Sequence, residues 1–243
     1  MSADSLVLIV TALPEERRGI LARARETDVD PMCYADACIG DALVVVATTG
    51  EGAGAAERGA GELCDALQPV ALVGAGVAGA LTPSLSVGDL IVGRRIVDAR
   101  GEAPAPNSGF VDRAVRAGAQ EGTLVTTERP AVSRPEKKTL AASIEGTRPG
   151  AVDMESAGWA RAAAVRRVPF LIVRSISDRS DEELPSYLAE CVGADGRIKR
   201  SAVLAHSLRH PGTLPALLRM RRRTHACAET LAGFLERFFT ATA

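Results

Sequence analysis

Hydrophobic residues of this chain gather in short segments that are separated by turn residues. Such segments occupy residues 6–10, 43–47, 70–73, 89–97, 123–127 and 168–175. A strand covered on both faces in a parallel sheet has this pattern, because neither of its faces needs polar side chains. We therefore predict strands at these positions, with the first strand central in the sheet.

Helical segments with N-terminal signals lie between those strands. Pro14 and Pro135 suit the first turn of a helix, and Glu15 and Glu16 carry the charge that a helix N-terminus favours. The pattern predicts helices near residues 14–25, 55–67, 111–120, 133–143 and 154–166. Alternating strands and helices predict a three-layer α/β/α sandwich with a mixed, largely parallel central sheet. In such folds, ligands bind at the carboxyl ends of the strands.

Three segments depart from this alternation. Residues 74–88 are predicted to be a loop-like connector, and residues 99–109, rich in Pro and Gly, an exposed excursion. From residue 184 only helical periodicity remains, and it predicts a long C-terminal helix. Its apolar positions are Leu217, Leu218, Ala228, Leu231, Phe234, Leu235 and Phe238. We expect an α/β core over residues 1–183 and a helical part over residues 184–243, packed on the same domain.

Composition narrows the range of partners. The 29 Lys and Arg nearly balance the 30 Asp and Glu, and aromatic residues make up only 3% of the chain. A nucleic-acid binder needs a basic field or stacking platforms, so this class is disfavoured and a small ligand is expected. Five cysteines without a CxxC pair predict free thiols, and the absence of a signal-peptide pattern predicts a cytoplasmic protein.

Two motifs suggest cofactors or metals, and both are weak. The segment GAGVAG at 74–79 matches a dinucleotide-binding fingerprint, with Asp98 at a suitable distance for a ribose hydroxyl. Pro83 and Gly88 interrupt the helix that this fingerprint requires. His206 and His210 lie four residues apart, but no third metal ligand is near in sequence. No cofactor and no metal are therefore expected.

Acidic residues follow several predicted strands. Glu16 comes after the first strand, Asp153 and Glu155 precede a helix, and Asp178 follows the strand that ends the predicted core. One such acid is usually a helix cap, whereas several at one sheet edge indicate acid–base chemistry. Arg174 interrupts an apolar strand and needs a buried partner, for which Glu16 is a candidate.

Five blocks in this order carry a family resemblance: TALPEE at 11–16, TTGEG at 48–52, VGAGVAGAL at 73–81 with PSLSVGDLIV at 83–92, VDMES at 152–156 and VPFLIVRSISD at 168–178. Together they resemble the nucleoside phosphorylase and nucleosidase superfamily over roughly residues 6–180. The chain is most similar to the methylthioadenosine/S-adenosylhomocysteine nucleosidases. The resemblance implies a nucleoside phosphorylase-like fold, a purine nucleoside as the small-molecule ligand, and a homodimer.

The resemblance also implies roles for individual residues. Asp178 would be the general acid that shares a proton with purine N7, oriented by Ser177. Glu16 would activate water with the help of Arg174, and Glu155 would accept hydrogen bonds from the ribose hydroxyls. The remaining implied contacts are Met154 under the sugar, the backbone near Val132 and Ser133 along the base, and Val77 and Gly79 in the glycine segment.

The chain departs from its relatives in ways that bear on the substrate. Val77 replaces a serine, Val132 replaces an aromatic residue, and the excursion at 99–109 is shorter. With the long basic C-terminal helix, these features resemble the hopanoid-associated branch. That branch implies adenosylhopane, an adenosine with a lipid at its 5′ carbon, as the substrate that is cleaved to release adenine. Arg219, Arg221, Arg222 and Arg223 suggest peripheral membrane contact, although a helix docked on the sheet is the commoner arrangement.

Several alternatives remain open from the sequence. Other nucleosidase substrates are methylthioadenosine, S-adenosylhomocysteine and futalosine. Phosphate could replace water as the nucleophile, as in a purine nucleoside phosphorylase, but Glu16 favours water and no G-D-P-x-R loop is present. A nucleoside-binding protein without turnover is the non-enzyme alternative.

Overall fold

A mixed sheet of ten strands organises the chain. The structure, a computed structural model, describes residues 6–29, 34–144, 148–185 and 209–240, together with Tyr187, Cys191, Val203 and His206. Its strands are β1 (Val7–Thr11), β2 (Arg25–Val29), β3 (Tyr34–Ile39), β4 (Ala42–Thr48), β5 (Ala71–Ala80), β6 (Leu90–Asp98), β7 (Gly101–Glu102), β8 (Gln120–Thr126), β9 (Gly150–Asp153) and β10 (Phe170–Asp178). Its helices are α1 (Pro14–Leu21), α2 (Ala53–Leu67), α3 (Ser108–Arg116), α4 (Arg134–Ala142), α5 (Ser156–Val165) and α6 (Leu214–Phe239), the last preceded by a 3-10 turn at Pro211–Thr213.

The strand order is β10-β6-β8-β9-β5-β1-β4-β3-β2, with β7 on β6. β1 lies between β5 and β4 and is parallel to both, so the prediction of a central first strand is confirmed. β10 also pairs with β5, in parallel, which closes β5, β9, β8, β6 and β10 into a circuit. Antiparallel pairs join β2, β3 and β4 at the far edge. The carboxyl ends of β1, β5 and β10 consequently meet at one place.

Two hydrophobic layers flank the sheet. Along β1, Leu8 and Val10 face a cluster that includes Ala56 of α2 and Trp159 of α5. Val7 and Ile9 point to the opposite cluster, which includes residues of α1, α3 and α6. Alternate residues of a strand point to opposite faces, so a continuous apolar run fills both layers. The predicted three-layer α/β/α sandwich is confirmed.

The sequence pattern missed four strands, β2, β3, β7 and β9. The helix expected to reach residue 25 ends at Leu21, and the chain then forms the β2–β3 hairpin. The short strand β9 was also missed, although it carries Asp153 at its end. Strands this short, or this rich in charged residues, have too little apolar periodicity to stand out.

The loop predicted for residues 74–88 is wrong in its first half. β5 continues through Ala80, so the whole GAGVAG segment is strand and no helix begins at its last glycine. The glycines provide space: a Cβ on Gly74 would lie 2.5 Å from Cε3 of Trp159, and one on Gly76 would lie 2.3 Å from Nη1 of Arg174. The segment therefore serves close packing instead of dinucleotide binding.

The excursion at 99–109 is only partly exposed. Residues 99–102 are exposed, but Ala103 and Pro106 are buried and Asn107 caps α3 by accepting from the Phe110 amide at 3.1 Å. Asp98, the ribose candidate of the dinucleotide alternative, instead forms two hydrogen bonds with Arg161, at 2.6 and 2.8 Å. Its carboxylate is therefore committed to a largely buried ion pair.

The long C-terminal helix is confirmed, and its second half docks on the sheet. Buried residues of α6 between Cys227 and Phe238 pack against α1 and the sheet. At its start, by contrast, Leu214 and Leu218 are each 46% exposed. The predictions for residues 186, 188–190, 192–202, 204–205 and 207–208 lie outside the described residues. The domain division at residue 184, the homodimer and the cytoplasmic location stay predictions.

Two smaller expectations can be checked against the described residues. Cys38, Cys64, Cys191 and Cys227 are free thiols, as predicted, while Cys33 lies outside the described part of the chain. Within the described residues, no helix is both long and apolar enough to cross a membrane.

We predict that Gly19→Ala destabilises the fold, because α1 and α6 cross in contact. A Cβ on Gly19 would lie 2.3 Å from Cβ of Ala228. The clash should cost about 1–3 kcal/mol in the free energy of urea unfolding. Gly54→Ala is the matched control, since its Cβ would meet only Nη1 of Arg58, at 3.5 Å, and alanine favours a helix over glycine. Equal stabilisation by both substitutions would contradict the docked arrangement of α6.

Candidate active site

The site begins with Glu16, which the first turn of α1 places beside the carboxyl end of β1. Its Oε2 accepts from the amides of Ala12 and Leu13 at 3.1 and 3.0 Å, and its Oε1 accepts from the Val77 amide at 3.0 Å. The side chain is buried, and burial raises the pKa of its carboxyl although the Arg174 charge and the three amides oppose that shift. A raised pKa makes the ionised carboxylate a stronger base.

Arg174 projects from the middle of β10 and has no exposed surface. Its guanidinium pairs with Asp153 (Nε–Oδ2, 2.7 Å) and Glu155 (Nη2–Oε2, 3.3 Å), and it lies 4.6 Å from the ring centre of Trp159. The sequence expectation that Glu16 is its partner is corrected in part: the ion pairs are with Asp153 and Glu155, and Glu16 interacts with the guanidinium only through its charge. The pKa of Arg174 is raised, because these carboxylates outweigh its burial.

One nitrogen of Arg174 has no such partner. Nη1 is buried without a hydrogen bond among the described residues. A Cβ on Gly76 would meet this nitrogen at 2.3 Å and Oε1 of Glu16 at 2.9 Å, so both groups border the space above that glycine. An unpaired buried donor beside a carboxylate is a suitable place for a polar ligand or a water molecule.

Asp153 serves the structure. Its Oδ1 accepts from Oγ1 of Thr126 at 2.8 Å and its Oδ2 from Oγ of Ser156. The same carboxylate binds Arg174, so it holds the guanidinium and the start of α5 together. With every acceptor direction engaged inside the protein, Asp153 is a supporting residue.

Glu155 is better placed to meet a ligand. The Gly52 amide donates to its Oε1 at 2.9 Å, and Arg174 donates to its Oε2. Burial raises the pKa of its carboxyl to about 7, with the Asp153 charge adding to the effect and Arg174 opposing it. The next side chain toward the N-terminus, Met154, is half-buried. A carboxylate with acceptor capacity beside a thioether fits the expected sugar contacts.

Asp178 ends β10 and is buried. Oγ of Ser177 donates to its Oδ1 at 2.6 Å, as the sequence predicts. Gly79 of β5 lies against the carboxylate, since a Cβ there would be 2.9 Å from Oδ2. The buried Lys137 of α4 forms an ion pair with Oδ2. This lysine was missed by the sequence analysis.

A signal for Lys137 was present in the sequence. Lys137 shares one face of α4 with Leu140 and Ala141 at i+3 and i+4, which pack on a buried cluster together with Ile144 just after the helix. A lysine on the apolar stripe of a helix must find an anion inside the protein. Its neighbour Lys138 is exposed.

The phosphorylase superfamily profile matches residues 7–208, most of the chain. The chain belongs to the phosphorylase superfamily. Solved structures with the same fold include the 5′-methylthioadenosine/S-adenosylhomocysteine nucleosidase of Helicobacter pylori, 18% identical, with 98% of each chain covered and a TM-score of 0.73. The futalosine hydrolase of Helicobacter pylori is 19% identical, with 97% of each chain covered and a TM-score of 0.72.

A third similar structure is the S-adenosylhomocysteine nucleosidase of Streptococcus pyogenes, 19% identical, with 98% of this chain and 97% of that chain covered and a TM-score of 0.71. At these identities the likeness shows the fold. Within the described residues, no group of three or more His, Cys, Asp and Glu side chains could hold a metal ion.

This superfamily member holds the start of α4 by bonds within its own chain. The amides of Val132 and Ser133 both donate to Oε2 of Glu136, at 3.1 and 3.0 Å, and the Val132 carbonyl accepts from the Leu184 amide. Neither amide is left for a ligand. Any contact of the predicted kind at these residues is therefore with apolar surface, such as the side chain of Val132.

We predict that nucleoside binding weakens below pH 7, because the raised pKa of Glu155 removes its ionised form there. At pH 6 about one molecule in ten would carry the carboxylate that accepts from ribose hydroxyls, so the Kd should rise about tenfold between pH 8 and pH 6. Calorimetry with adenosine in an Asp178→Asn background, which should prevent turnover, checks this, and free adenine, which lacks ribose, is the control. Glu155→Gln should bind adenosine weakly and lose most of the pH dependence. Equal pH dependence for adenine and adenosine would contradict the assignment.

Proposed function

We propose that this chain is a nucleosidase that hydrolyses the N-glycosidic bond of a purine nucleoside and releases adenine. The observation that carries the proposal is the spacing of two sets of buried groups along β5. Glu16 and Arg174 border Gly76, while Asp178 borders Gly79 three residues later. Three strand residues span roughly 10 Å. Positions three apart on a strand face opposite sides of the sheet, so a nucleoside would lie across the carboxyl end of β5, with its sugar near Glu16 and its base near Asp178.

The reaction follows from that placement. Asp178 would deliver a proton to N7 of the purine while the C1′–N9 bond breaks and its electron pair goes to the base. Glu16 would take a proton from water as the water oxygen bonds to C1′, with Nη1 of Arg174 holding that water. Glu155 would hold the ribose hydroxyls, and the carboxylates would stabilise the positive charge that develops on the sugar.

Charge supports water as the nucleophile. Around the sugar position, Glu16, Asp153 and Glu155 face a single guanidinium, that of Arg174, which already pairs with two of them. Burial raises the pKa of Glu16 and of Glu155, and the charges of Asp153 and Glu16 raise that of Glu155 further. A phosphate dianion would add further negative charge to this space, whereas a water molecule would not.

For the substrate we propose an adenine nucleoside with a bulky apolar 5′ group, with adenosylhopane as the best candidate. Two differences from the related nucleosidases support this substrate: Val77 stands where they have a serine, and Val132 stands where they have an aromatic residue. So does the start of α6, where the exposed Leu214 and Leu218 accompany the exposed Arg219, Arg221 and Arg222. Such a surface suits contact with an anionic membrane that holds a lipid-linked substrate. Methylthioadenosine, S-adenosylhomocysteine and futalosine are the alternatives.

Adenosine, methylthioadenosine and adenosylhopane, each with and without phosphate, test the proposed reaction. We expect free adenine and free sugar from the native protein without phosphate. Glu16→Gln should lose about 10²–10⁴-fold in kcat, because the base is gone, yet still bind nucleoside. Glu15→Gln, at the exposed neighbouring position, is the control. A sugar 1-phosphate product, or rescue of Glu16→Gln by phosphate, would replace hydrolysis with phosphorolysis.

We predict that the triple variant Arg219→Gln, Arg221→Gln, Arg222→Gln loses binding to anionic liposomes and turns over a lipid-bearing nucleoside more slowly. Each arginine would contribute about 1 kcal/mol near an anionic surface. Arg223 stays unchanged, since it pairs with Glu182 at 2.5 Å. Turnover of soluble adenosine should be unaffected.

The control for this experiment removes three exposed arginines from other helices: Arg18, Arg58 and Arg116. It has the same net charge as the α6 triple variant, so the comparison isolates the position of the charges. Equal liposome binding by the two triple variants would show that the start of α6 is not a membrane surface.

A further inference from the structure

The side chain of Lys137 is buried at the base end of the site, although the reaction proposed above gives it no role. It is 1% exposed and has three hydrogen-bond acceptors. They are Oδ2 of Asp178, the Arg179 carbonyl at 2.7 Å and the Glu182 carbonyl at 3.0 Å. An ammonium group has three N–H donors, so this one is saturated.

The three acceptors differ in what they can do with a proton. The two backbone carbonyls accept hydrogen bonds but do not take a proton, whereas the Asp178 carboxylate can. If the ammonium gives up one proton, the neutral amine retains two N–H groups, which match the two carbonyls. The arrangement therefore directs a single transferable proton to Asp178.

The surroundings of Asp178 restrict other proton sources. Oγ of Ser177 has one proton and donates it to Oδ1, and Gly79 closes the side next to Oδ2. The Asp178 carboxylate thus accepts hydrogen bonds from Ser177 and Lys137 and is paired with the Lys137 cation. This arrangement is that of an ionised carboxylate. A carboxylate in this form must receive a proton before it can pass one to a leaving base.

We propose that Lys137 is the positioning residue that supplies this proton through Asp178, an inference that rests on the proposed nucleosidase function. As the C1′–N9 bond breaks, the ammonium passes a proton to the carboxylate and the carboxylate passes a proton to N7. Lys137 becomes a neutral amine, Asp178 is again a carboxylate, and the base leaves neutral. Glu16 releases to solvent the proton that it takes from the attacking water. Lys137 takes one proton back from solvent, so the number of protons on the protein is restored.

Segments far apart in the chain hold the lysine in this position. The capping box of Ser133 and Glu136 fixes the first turn of α4, one residue before Lys137. The backbone carbonyl of Glu182 accepts from Lys137, and the side chain of Glu182 pairs with Arg223 of α6. Lys137 can therefore contact the carboxylate without movement of α4.

The test compares Lys137→Arg and Lys137→Gln with the native protein on adenosine. Arginine keeps the charge but does not release a proton, and glutamine keeps a donor without the charge. We expect both variants to bind adenine within a few-fold of the native Kd and to lose about 10²-fold or more in kcat. Lys138→Gln, the exposed neighbour, should be unchanged. Near-native kcat for Lys137→Arg would overturn the proposal, since a fixed charge would then suffice.

A leaving group that needs no proton separates chemistry from structure. Turnover of 4-nitrophenyl riboside, whose phenolate leaves unprotonated, should fall much less than turnover of adenosine in the Lys137 variants and in Asp178→Asn. Equal loss on both substrates, or a parallel loss of adenine binding, would make Lys137 a structural residue and overturn the proposal.

Absence of adenine release from every nucleoside by the native protein would refute the proposed function itself.

Discussion

A fully buried guanidinium, that of Arg174, is the constraint on which the rest of the site depends. A charge in the interior is tolerated only where carboxylates pair with it in good geometry, and removal of one partner of a buried pair costs about 3–5 kcal/mol. Asp153 supplies the main contact and is itself held by Thr126 and Ser156. This requirement ties the end of β9, the start of α5 and the middle of β10 into one unit.

The same constraint produces the electrostatic character of the site beside Gly76, where we propose that the sugar binds. Burial raises the pKa of Glu155 and that of Glu16, and at Glu155 the charges of Asp153 and Glu16 add to the effect, while the single cation, Arg174, opposes it at both. Excess negative charge in a water-poor space disfavours anions and favours a positive charge that develops on a bound molecule. The excess of carboxylates over cations, which costs stability, is thus the feature that best supports a reaction in which a carbon atom becomes positively charged.

The charges beside Gly79, where we propose that the base binds, are balanced differently. There Asp178 and Lys137 form an ion pair in which the ammonium is saturated by the carboxylate and two carbonyls. The pair also joins α4 to the turn that follows β10, and Glu182 links that turn to α6 through Arg223. The middle and the carboxyl end of β5 therefore lie beside two different charge arrangements, one with excess carboxylate at Gly76 and one neutral at Gly79. The glycines of β5 leave the space in which both can approach a ligand.

The sequence by itself determined the alternation of strands and helices, the central place of the first strand and the acids at the strand ends. These follow from local pattern, because a strand buried on both faces must be apolar throughout. Tertiary structure alone decided that the glycine segment is strand, that Arg174 pairs with Asp153 and Glu155, and that Lys137 meets Asp178. A glycine run has little conformational preference of its own, and partners that lie 41 residues apart, as Lys137 and Asp178 do, are selected by packing across the sheet.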